Sequence, residues 1–252
     1  MDERPHDQDA TLRRWARVAG ALYLVIIVGA GFAEGAVRGG IIVPGDARAT
    51  AEAIAAAPGL YRFGLLADLI AFLADTAVAV LFYVLLRSVN HTVALLAAAF
   101  RLVAHPAIAA VNLLNHWAGS ILAQQPDYLA AFSPEQLDGL TLFALELHGF
   151  GYLVGGAFFG VHLVLLGWLM LRSVRFPGWL GAMLCVAGVA YFVETTAHVA
   201  VPALEDFSAM LVVAAAAVAE LTLCGWLLVR GIRMVEPVRS AAAHVRCAVP
   251  FP

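Results

Sequence analysis

The chain has 252 residues, of which 62% are apolar and 13% are charged, and its formal net charge is −3. Soluble proteins carry about 25% charged residues, so this composition excludes a soluble globular domain and indicates an integral membrane protein. The apolar runs are about twenty residues or longer, whereas a membrane β-barrel is built from alternating segments of about ten residues. The sequence therefore predicts an all-α protein whose environment is the lipid bilayer.

Residue types exclude several kinds of chemistry. All 15 basic residues are Arg, so the chain lacks the lysine of a P-loop or of a Schiff base, and nucleic-acid binding is not expected. The 3 cysteines have no C-x-x-C spacing, which predicts neither a disulfide framework nor a zinc site. No cofactor and no metal are predicted, and the sequence leaves the oligomeric state open.

Six apolar windows are long enough to cross a bilayer, which predicts a six-helix bundle over residues 16–235. The windows are 16–37, 60–89, 92–124, 139–173, 179–201 and 207–232. The first is predicted to be an uncleaved anchor after a tail at 1–15. A short surface helix at about 46–57 begins at an Asp46 cap, and Ser133 with Gln136 forms a capping box before the fourth window. Residues 236–252 lack periodicity and are predicted to be a disordered cytoplasmic tail.

Arginine is distributed unevenly among the segments between the windows. Most Arg residues lie in the two tails and in alternate loops, while the intervening loops and their edges hold only Arg38, Arg48 and Arg62. The positive-inside rule then places both termini in the cytoplasm. We expect a multi-pass protein of the plasma membrane.

Each predicted span carries its polar residues on one helical face. The aligned sets are Tyr23 with Glu34; Asp68 with Asp75; Arg101, His105, Asn112, Asn115 and His116; His148, Tyr152 and His162; Tyr191, Glu194 and His198; and Glu220 with Cys224. An ionisable residue facing lipid at the bilayer centre costs about 2.5 to 3.5 kcal/mol. The charged residues inside the spans would together cost on the order of 20 kcal/mol if they faced lipid: Glu34, Asp68, Asp75, Glu146, Glu194, Glu220 and Arg101. These stripes must therefore face one another or line a wet cavity.

Short turns allow the depth of each polar residue to be predicted. Folding the second and third spans at "RSVNH" places Asp75 opposite Arg101, which predicts a structural ion pair near the membrane middle. Folding the fourth and fifth spans at "SVRFPGW" places Tyr152 level with His198, and Gly156 level with Glu194. Most of the remaining polar residues then lie in the outer half, which predicts an interior cavity there.

Carboxylates and imidazoles in a poorly hydrated cavity are typical of general acid–base chemistry. We assign the acid to Glu194 or Asp68, and the base or its stabilising partner to His198 and His148. The residues predicted to bind or orient a substrate are Tyr152, Asn112, Asn115, His116 and Glu34. Interhelical hydrogen bonding is the alternative role for any single histidine.

Several segments resemble a known family. They include "ARVAGALYLVIIVGAGFAE", "GLLADLIAFLADTAVAVLFYVLLRSVN", "FRLVAHPAIAAVNLLN" and "LHGFGYLVGGAFFGVHLVLLG". In their combination the chain is similar, over roughly residues 13–233, to the bacterial membrane family catalogued as domain of unknown function 4386. The resemblance implies a six-helix membrane protein and brings no activity with it.

Three functions remain open at the level of sequence. The first is an intramembrane enzyme, of the isomerase or cyclase type, that acts by acid–base chemistry on a hydrophobic isoprenoid or lipid-like small molecule. The second is a proton-coupled transporter or channel for a small solute, in which the same residues form a relay. The third is a non-enzymatic binding or regulatory subunit of the membrane.

Overall fold

A computed structural model of the chain describes residues 5–233, and side chains from residue 9 onward. Its longer helices are Pro5–Gly31, Ala47–Ala56, Pro58–Leu86, His91–Leu102, Ala110–Leu122, Pro134–Arg172, Gly178–Ala200 and Glu205–Val229. No strand occurs within the described residues. The prediction for 236–252 lies outside the described residues, and the described part of the predicted tail at 1–15 is helical from Pro5 onward.

Six continuous helical stretches within residues 5–233 are long and apolar enough to cross a membrane, which confirms the predicted fold class. They are span 1 (Asp9–Ile41), span 2 (Pro58–Leu86), span 3 (His91–Leu122), span 4 (Pro134–Arg172), span 5 (Gly178–Ala200) and span 6 (Pro202–Val229). We call the end of the bundle that carries the 1–2, 3–4 and 5–6 connections the outer end, after the predicted orientation, and the opposite end the inner end.

Two spans contain a turn of wider π-helix. In span 3 the π-helical segment is Val103–Ala109, and it contains Pro106, whose missing N–H prevents a regular α-helical hydrogen bond at this point. In span 1 the segment is Phe32–Arg38, and a short helix, Gly39–Ile41, follows it. Span 1 is therefore helical four residues beyond the predicted end at 37, and Arg38 belongs to the bundle rather than to a loop.

The outer end is partly covered by the short helix Ala47–Ala56. Asp46 caps it, with Oδ1 accepting a hydrogen bond from the Ala49 N–H at 2.9 Å. Ile54, on the face of this helix that packs against the bundle, is fully buried in one apolar cluster with Tyr61 and Leu145. The cluster joins this helix to spans 2 and 4 and holds it across the outer end.

The predicted capping box of span 4 is confirmed. The Ser133 Oγ accepts a hydrogen bond from the Gln136 N–H at 3.3 Å, and the Gln136 side chain accepts one from the Ser133 N–H at 2.8 Å. Span 4 is the longest helix of the described residues, with 39 residues. The capping box fixes the residue at which span 4 begins. Because each helical residue adds a 1.5 Å rise and about 100° of rotation, the depth and direction of the later polar side chains follow from that residue.

The inner half of the bundle is an apolar core. Fully buried leucine and methionine side chains of spans 2, 4 and 5 fill it: Leu85, Leu86, Leu163, Leu166, Leu169, Met170, Leu180 and Leu184. Polar side chains are instead concentrated from the middle of the bundle toward the outer end. A candidate functional site is therefore to be sought in the middle and the outer half of the bundle.

Candidate functional site

Polar side chains form two groups in the bundle, and most of them are buried or half-buried. The outer polar cluster consists of Glu34, Arg38, Asp68, Asn112, Asn115, His116, His148 and Tyr152. The inner polar cluster consists of Tyr23, Asp75, Arg101, His105, His162, Tyr191 and Glu220. The outer cluster uses spans 1 to 4, whereas the inner cluster takes at least one side chain from each of the six spans.

An arginine between two carboxylates lies at the centre of the outer cluster. Arg38 Nη1 donates to Asp68 Oδ2 at 2.6 Å, and Arg38 Nε donates to Glu34 Oε2 at 2.7 Å. The Arg38 and Asp68 side chains are buried, whereas the Glu34 side chain is 70% exposed. The group therefore connects the surface, at Glu34, with a fully buried carboxylate.

Tyr152 packs against this group. Its ring centroid lies 5.4 Å from the Arg38 guanidinium carbon, which is within the range of a cation–π contact. Its buried hydroxyl lies beside Asp68, at a geometry short of a regular hydrogen bond. The hydroxyl is thus available to a further partner while it remains next to a carboxylate.

Two buried histidines have their tautomers fixed by backbone carbonyls. His116 Nε2 lies 3.1 Å from the Tyr61 carbonyl oxygen, and His148 Nδ1 lies 3.1 Å from the Asn112 carbonyl oxygen. A carbonyl oxygen only accepts, so each of these nitrogens carries the proton when its ring is neutral. The opposite nitrogens, His116 Nδ1 and His148 Nε2, then present lone pairs. Both are buried without a hydrogen-bond partner.

Close packing holds the imidazoles in place. The Tyr61 ring stacks on His116 with centroids 4.0 Å apart, and the His116 and His148 rings meet edge to face at 5.4 Å. Asn112 Nδ2 donates to the His148 carbonyl oxygen at 2.6 Å. The Asn112 side chain occupies space that a Cβ at Gly151 would fill, so a glycine is needed at that position of span 4.

The inner cluster is centred on a fully buried arginine. Arg101 Nη2 donates to Asp75 Oδ1 at 2.5 Å, so the structure brings together the two residues that the hairpin geometry places opposite each other. Arg101 Nη1 lies 3.0 Å from His162 Nε2, which acts as the acceptor because His162 Nδ1 donates to the Ala97 carbonyl oxygen at 2.8 Å. His105 Nδ1 lies 3.2 Å from the second Asp75 oxygen.

Aromatic rings and a second acid complete the inner cluster. The Arg101 guanidinium carbon lies 4.9 Å from the Tyr23 ring centroid and 5.1 Å from that of Phe159. The Tyr23 hydroxyl donates to Glu220 at 2.9 Å, and the Tyr191 hydroxyl donates to it at 3.3 Å. Among the buried side-chain nitrogens and oxygens of this cluster, Arg101 Nε is the one without a hydrogen-bond partner.

The structure does not bring all the predicted site residues together. Asp68 and His148 both belong to the outer cluster, but within the described residues no hydrogen bond or ion pair joins Glu194 or His198 to either of them. His198 Nδ1 instead lies 2.8 Å from Glu205 Oε1 at the outer end, where both side chains are partly exposed. Tyr191 occupies the space opposite Gly156 that the prediction gave to Glu194.

One member of the outer polar cluster, Arg38, and one residue packed against it, Tyr61, were not predicted. Arg38 was assigned to a loop edge because the first apolar window ends at 37, and Tyr61 was not given a role. The spacing of four between Glu34 and Arg38 is the signal that was available, because residues four apart on a helix form ion pairs. Nothing in the local sequence marks Tyr61 as the ring that stacks on His116.

The chain matches one family of known proteins over most of its length. The sequence model of the family described as "Domain of unknown function (DUF4386)" matches residues 18–231. The chain belongs to this family. It is also similar to an "Uncharacterized protein" of Archaeoglobus fulgidus, with 31% identity over 122 residues, which is 48% of this chain and 57% of the relative. The chain thus matches little more than half the length of that relative. No solved structure matches the chain significantly.

The family match covers all positions of both clusters. The match at 18–231 includes every residue of the outer polar cluster and every residue of the inner one. It supports a multi-pass helical membrane protein, in agreement with the six spans. Any statement about a reaction must therefore rest on the geometry of the site.

Proposed function

We propose that this protein is an intramembrane enzyme that acts by acid–base chemistry on a hydrophobic, isoprenoid or lipid-like substrate at the outer polar cluster. The observation that carries the proposal is the pair of buried imidazoles whose free nitrogens, His116 Nδ1 and His148 Nε2, present lone pairs with no partner. By contrast, His162 in the inner cluster uses both ring nitrogens to join neighbouring spans. Two unused lone pairs suit proton abstraction.

The remaining residues of the outer cluster supply complementary roles in the proposal. His148 is the base, because its ring meets the Tyr152 ring at 5.0 Å, on the side of the cluster near Arg38. Both oxygens of Asp68 face nitrogens of Arg38, at 2.6 and 3.5 Å, so neither oxygen is free to present a proton to a substrate. Tyr152 therefore replaces Asp68 as the proposed proton donor. The Arg38 cation beside its ring stabilises the phenolate that is left, and the proton that His148 gains passes back to Tyr152.

Substrate reaches the cluster from the outer half in this proposal. Asn112 and Asn115 are hydrogen-bonded to each other at 2.9 Å and orient the substrate beside the imidazoles, while Glu34 marks the exposed edge of the cluster. Glu194 and His198 form a separate polar patch on span 5 and are a second, weaker candidate for the acid and the base. The arginine distribution favours cytoplasmic termini, and we propose the plasma membrane as the location.

A proton-coupled carrier is the second candidate function. The inner polar cluster favours it, because Asp75, His105 and Glu220 extend the titratable groups of the outer cluster toward the bilayer centre. The packed leucine core of the inner half argues against it, since the buried polar side chains of the described residues include none between Arg101 or His162 and Asp9 at the inner end. An enzyme needs access from one side only, which is why we prefer it.

The enzyme proposal predicts the effect of His148→Gln. The substitution keeps a polar side chain of similar reach but removes the lone pair of the proposed base, so we expect conversion of substrate to fall by about 10²- to 10⁴-fold. The measurement uses proteoliposomes incubated with membrane lipid and isoprenoid extracts, whose products are compared by mass spectrometry with those of empty liposomes.

His91→Gln is the matched control, because His91 lies on the exposed surface at the inner end and contacts only Tyr83 in a hydrogen bond of 3.0 Å. Conversion by the control should equal that of the wild type. Equal conversion by His148→Gln and the wild type would refute the assignment of the base. Uptake of a solute driven by a pH gradient, with no chemical conversion, would favour the carrier instead.

A further inference from the structure

Three buried N–H groups without an acceptor lie at the inner end of the bundle. They are the Nε groups of Arg13 and Arg175 and the indole Nε1 of Trp226. Each is a donor only, so each needs an oxygen acceptor. A buried donor is rarely left without a partner, and three at one end of the molecule indicate an acceptor that the described residues, 5–233, do not supply.

The chain segment that follows span 6 contacts two of the residues that carry these donors. Gly231 has a φ of +67°, and a Cβ there would lie 3.2 Å from Arg13 Cγ, so the chain turns closely over Arg13. Two residues later, the Arg233 N–H donates to the Arg175 carbonyl oxygen at 2.9 Å. The segment 231–233 therefore bridges Arg13 on span 1 and Arg175 in the loop between spans 4 and 5.

Aromatic rings surround the same place. The Arg233 guanidinium carbon lies 6.0 Å from the Trp226 ring centroid, and Trp179 meets Trp226 edge to face at 5.9 Å. Trp179 is 50% exposed. Tryptophan at the end of a membrane span is typical of the headgroup level of the bilayer, where phosphate and ester oxygens are the abundant acceptors.

The charge at this place is strongly positive. Arg13, Arg175 and Arg233 meet here, and Asp9 accepts a hydrogen bond from Arg175 Nη2 at 2.7 Å, which leaves Arg175 Nε without an acceptor. A zwitterionic headgroup would bring its own cation close to these guanidinium groups, whereas an anionic headgroup would not. Val229 is 69% exposed and, with Trp179, offers an apolar surface for an acyl chain beside the donors.

We propose that Arg13, Arg175, Trp226 and Arg233 form a binding site, here called the inner basic collar, for the phosphate of an anionic phospholipid. The phosphate oxygens accept from the two guanidinium groups and from the indole N–H. The Nε atoms are buried although the two arginines are only half-buried as a whole, so in this proposal each side chain rotates to present Nε to the headgroup. The site lies at the opposite end of the bundle from the outer polar cluster and does not depend on the proposed reaction.

The test measures lipid binding to the full chain. Purified protein in a neutral detergent is titrated with phosphatidylglycerol, with phosphatidylcholine and with inorganic phosphate, and bound lipid is counted by native mass spectrometry while the melting temperature is followed by tryptophan fluorescence. The variants are R13Q, R175Q and W226F, the last of which keeps an aromatic ring but removes the indole N–H. R48Q and R62Q, two arginines at the outer end, are the matched controls.

We expect phosphatidylglycerol to bind more tightly than phosphatidylcholine and to raise the melting temperature of the wild type and of both controls. R13Q and R175Q should each weaken the binding of phosphatidylglycerol by about fivefold, as expected for loss of one arginine at a membrane surface. W226F should weaken it while the basal melting temperature stays close to that of the wild type. Equal binding of both lipids, or phosphatidylglycerol binding that is unchanged in R13Q and R175Q, would overturn the proposal. An equal rise in melting temperature with inorganic phosphate would overturn the assignment to a lipid.

Discussion

Arg101→Met is expected to destabilise the protein by about 3–5 kcal/mol, the typical cost of removing one partner of a buried ion pair. Methionine fills the space of the arginine stem but leaves the Asp75 carboxylate, which is fully buried, without its 2.5 Å partner. It also removes the donor to His162 Nε2 and the cation between the Tyr23 and Phe159 rings. The free energy of unfolding in mixed micelles, from a denaturant titration, measures the effect.

A second variant separates charge from packing. In the double variant Arg101→Met with Asp75→Asn, no uncompensated charge remains, so we expect much of the lost stability to return. Arg48→Met is the control for an exposed pair, because Arg48 lies 2.7 Å from Glu52 with both side chains largely in solvent, and it should cost at most about 1 kcal/mol. A double variant no more stable than Arg101→Met would show that the aromatic contacts of Arg101, not its charge, hold the six spans together.

The two clusters differ in how completely their polar atoms are hydrogen-bonded, and this difference favours a structural role for the inner cluster and a functional role for the outer one. In the inner cluster Glu220 accepts from two tyrosines, and Asp75 accepts from Arg101 and His105. Such a network fixes the six spans relative to one another. In the outer cluster, by contrast, two imidazole nitrogens have no partner. A cost in stability without a packing benefit is typical of a functional site.

The depth of most polar residues could be predicted from the sequence. Two helices joined by a short turn run antiparallel with a fixed rise, so the residue numbers of facing positions have a constant sum. The contacts between Asp75 and Arg101 and between Tyr61 and His116 both follow this rule for spans 2 and 3. The contact between the Thr195 hydroxyl and the Leu153 carbonyl oxygen follows it for spans 4 and 5.

Rotation of each helix about its axis could not be predicted so well. The π-helical segment Phe32–Arg38 has a different rotation per residue from an α-helix. At its last residue, Arg38, the side chain points inward and contacts Asp68. The sequence does not signal this segment, so the prediction left Asp68 without its partner. Likewise Glu194 lies at the predicted depth, but Tyr191 rather than Glu194 occupies the space beside Gly156. The histidine tautomers depend on carbonyl groups of other spans and are visible only in the fold.

Gly167→Ala is expected to give the second large loss of stability, because spans 4 and 5 contact each other backbone to backbone. A Cβ on Gly167 would lie 2.5 Å from the Gly181 carbonyl oxygen and 2.6 Å from Cys185 Sγ. Gly160 and Gly188 form the same reciprocal contact seven residues away on each helix. Neither backbone can rotate aside, so the helices must separate, and the cost should reach or exceed the upper end of about 1–3 kcal/mol for overpacking.

Gly225→Ala on span 6 provides the control, because a Cβ at that position meets nothing within 4 Å. There the gain in helix propensity should stabilise the protein by up to about 1 kcal/mol. Denaturant titrations in the same micelles as for Arg101→Met compare the two variants, and a Gly167→Ala protein as stable as the Gly225→Ala protein would contradict the expected contact. Separation of spans 4 and 5 would also displace His148 and Tyr152, which both lie on span 4. If the outer polar cluster is the active site, conversion of substrate by Gly167→Ala should therefore fall together with its stability, while conversion by Gly225→Ala stays at the wild-type level.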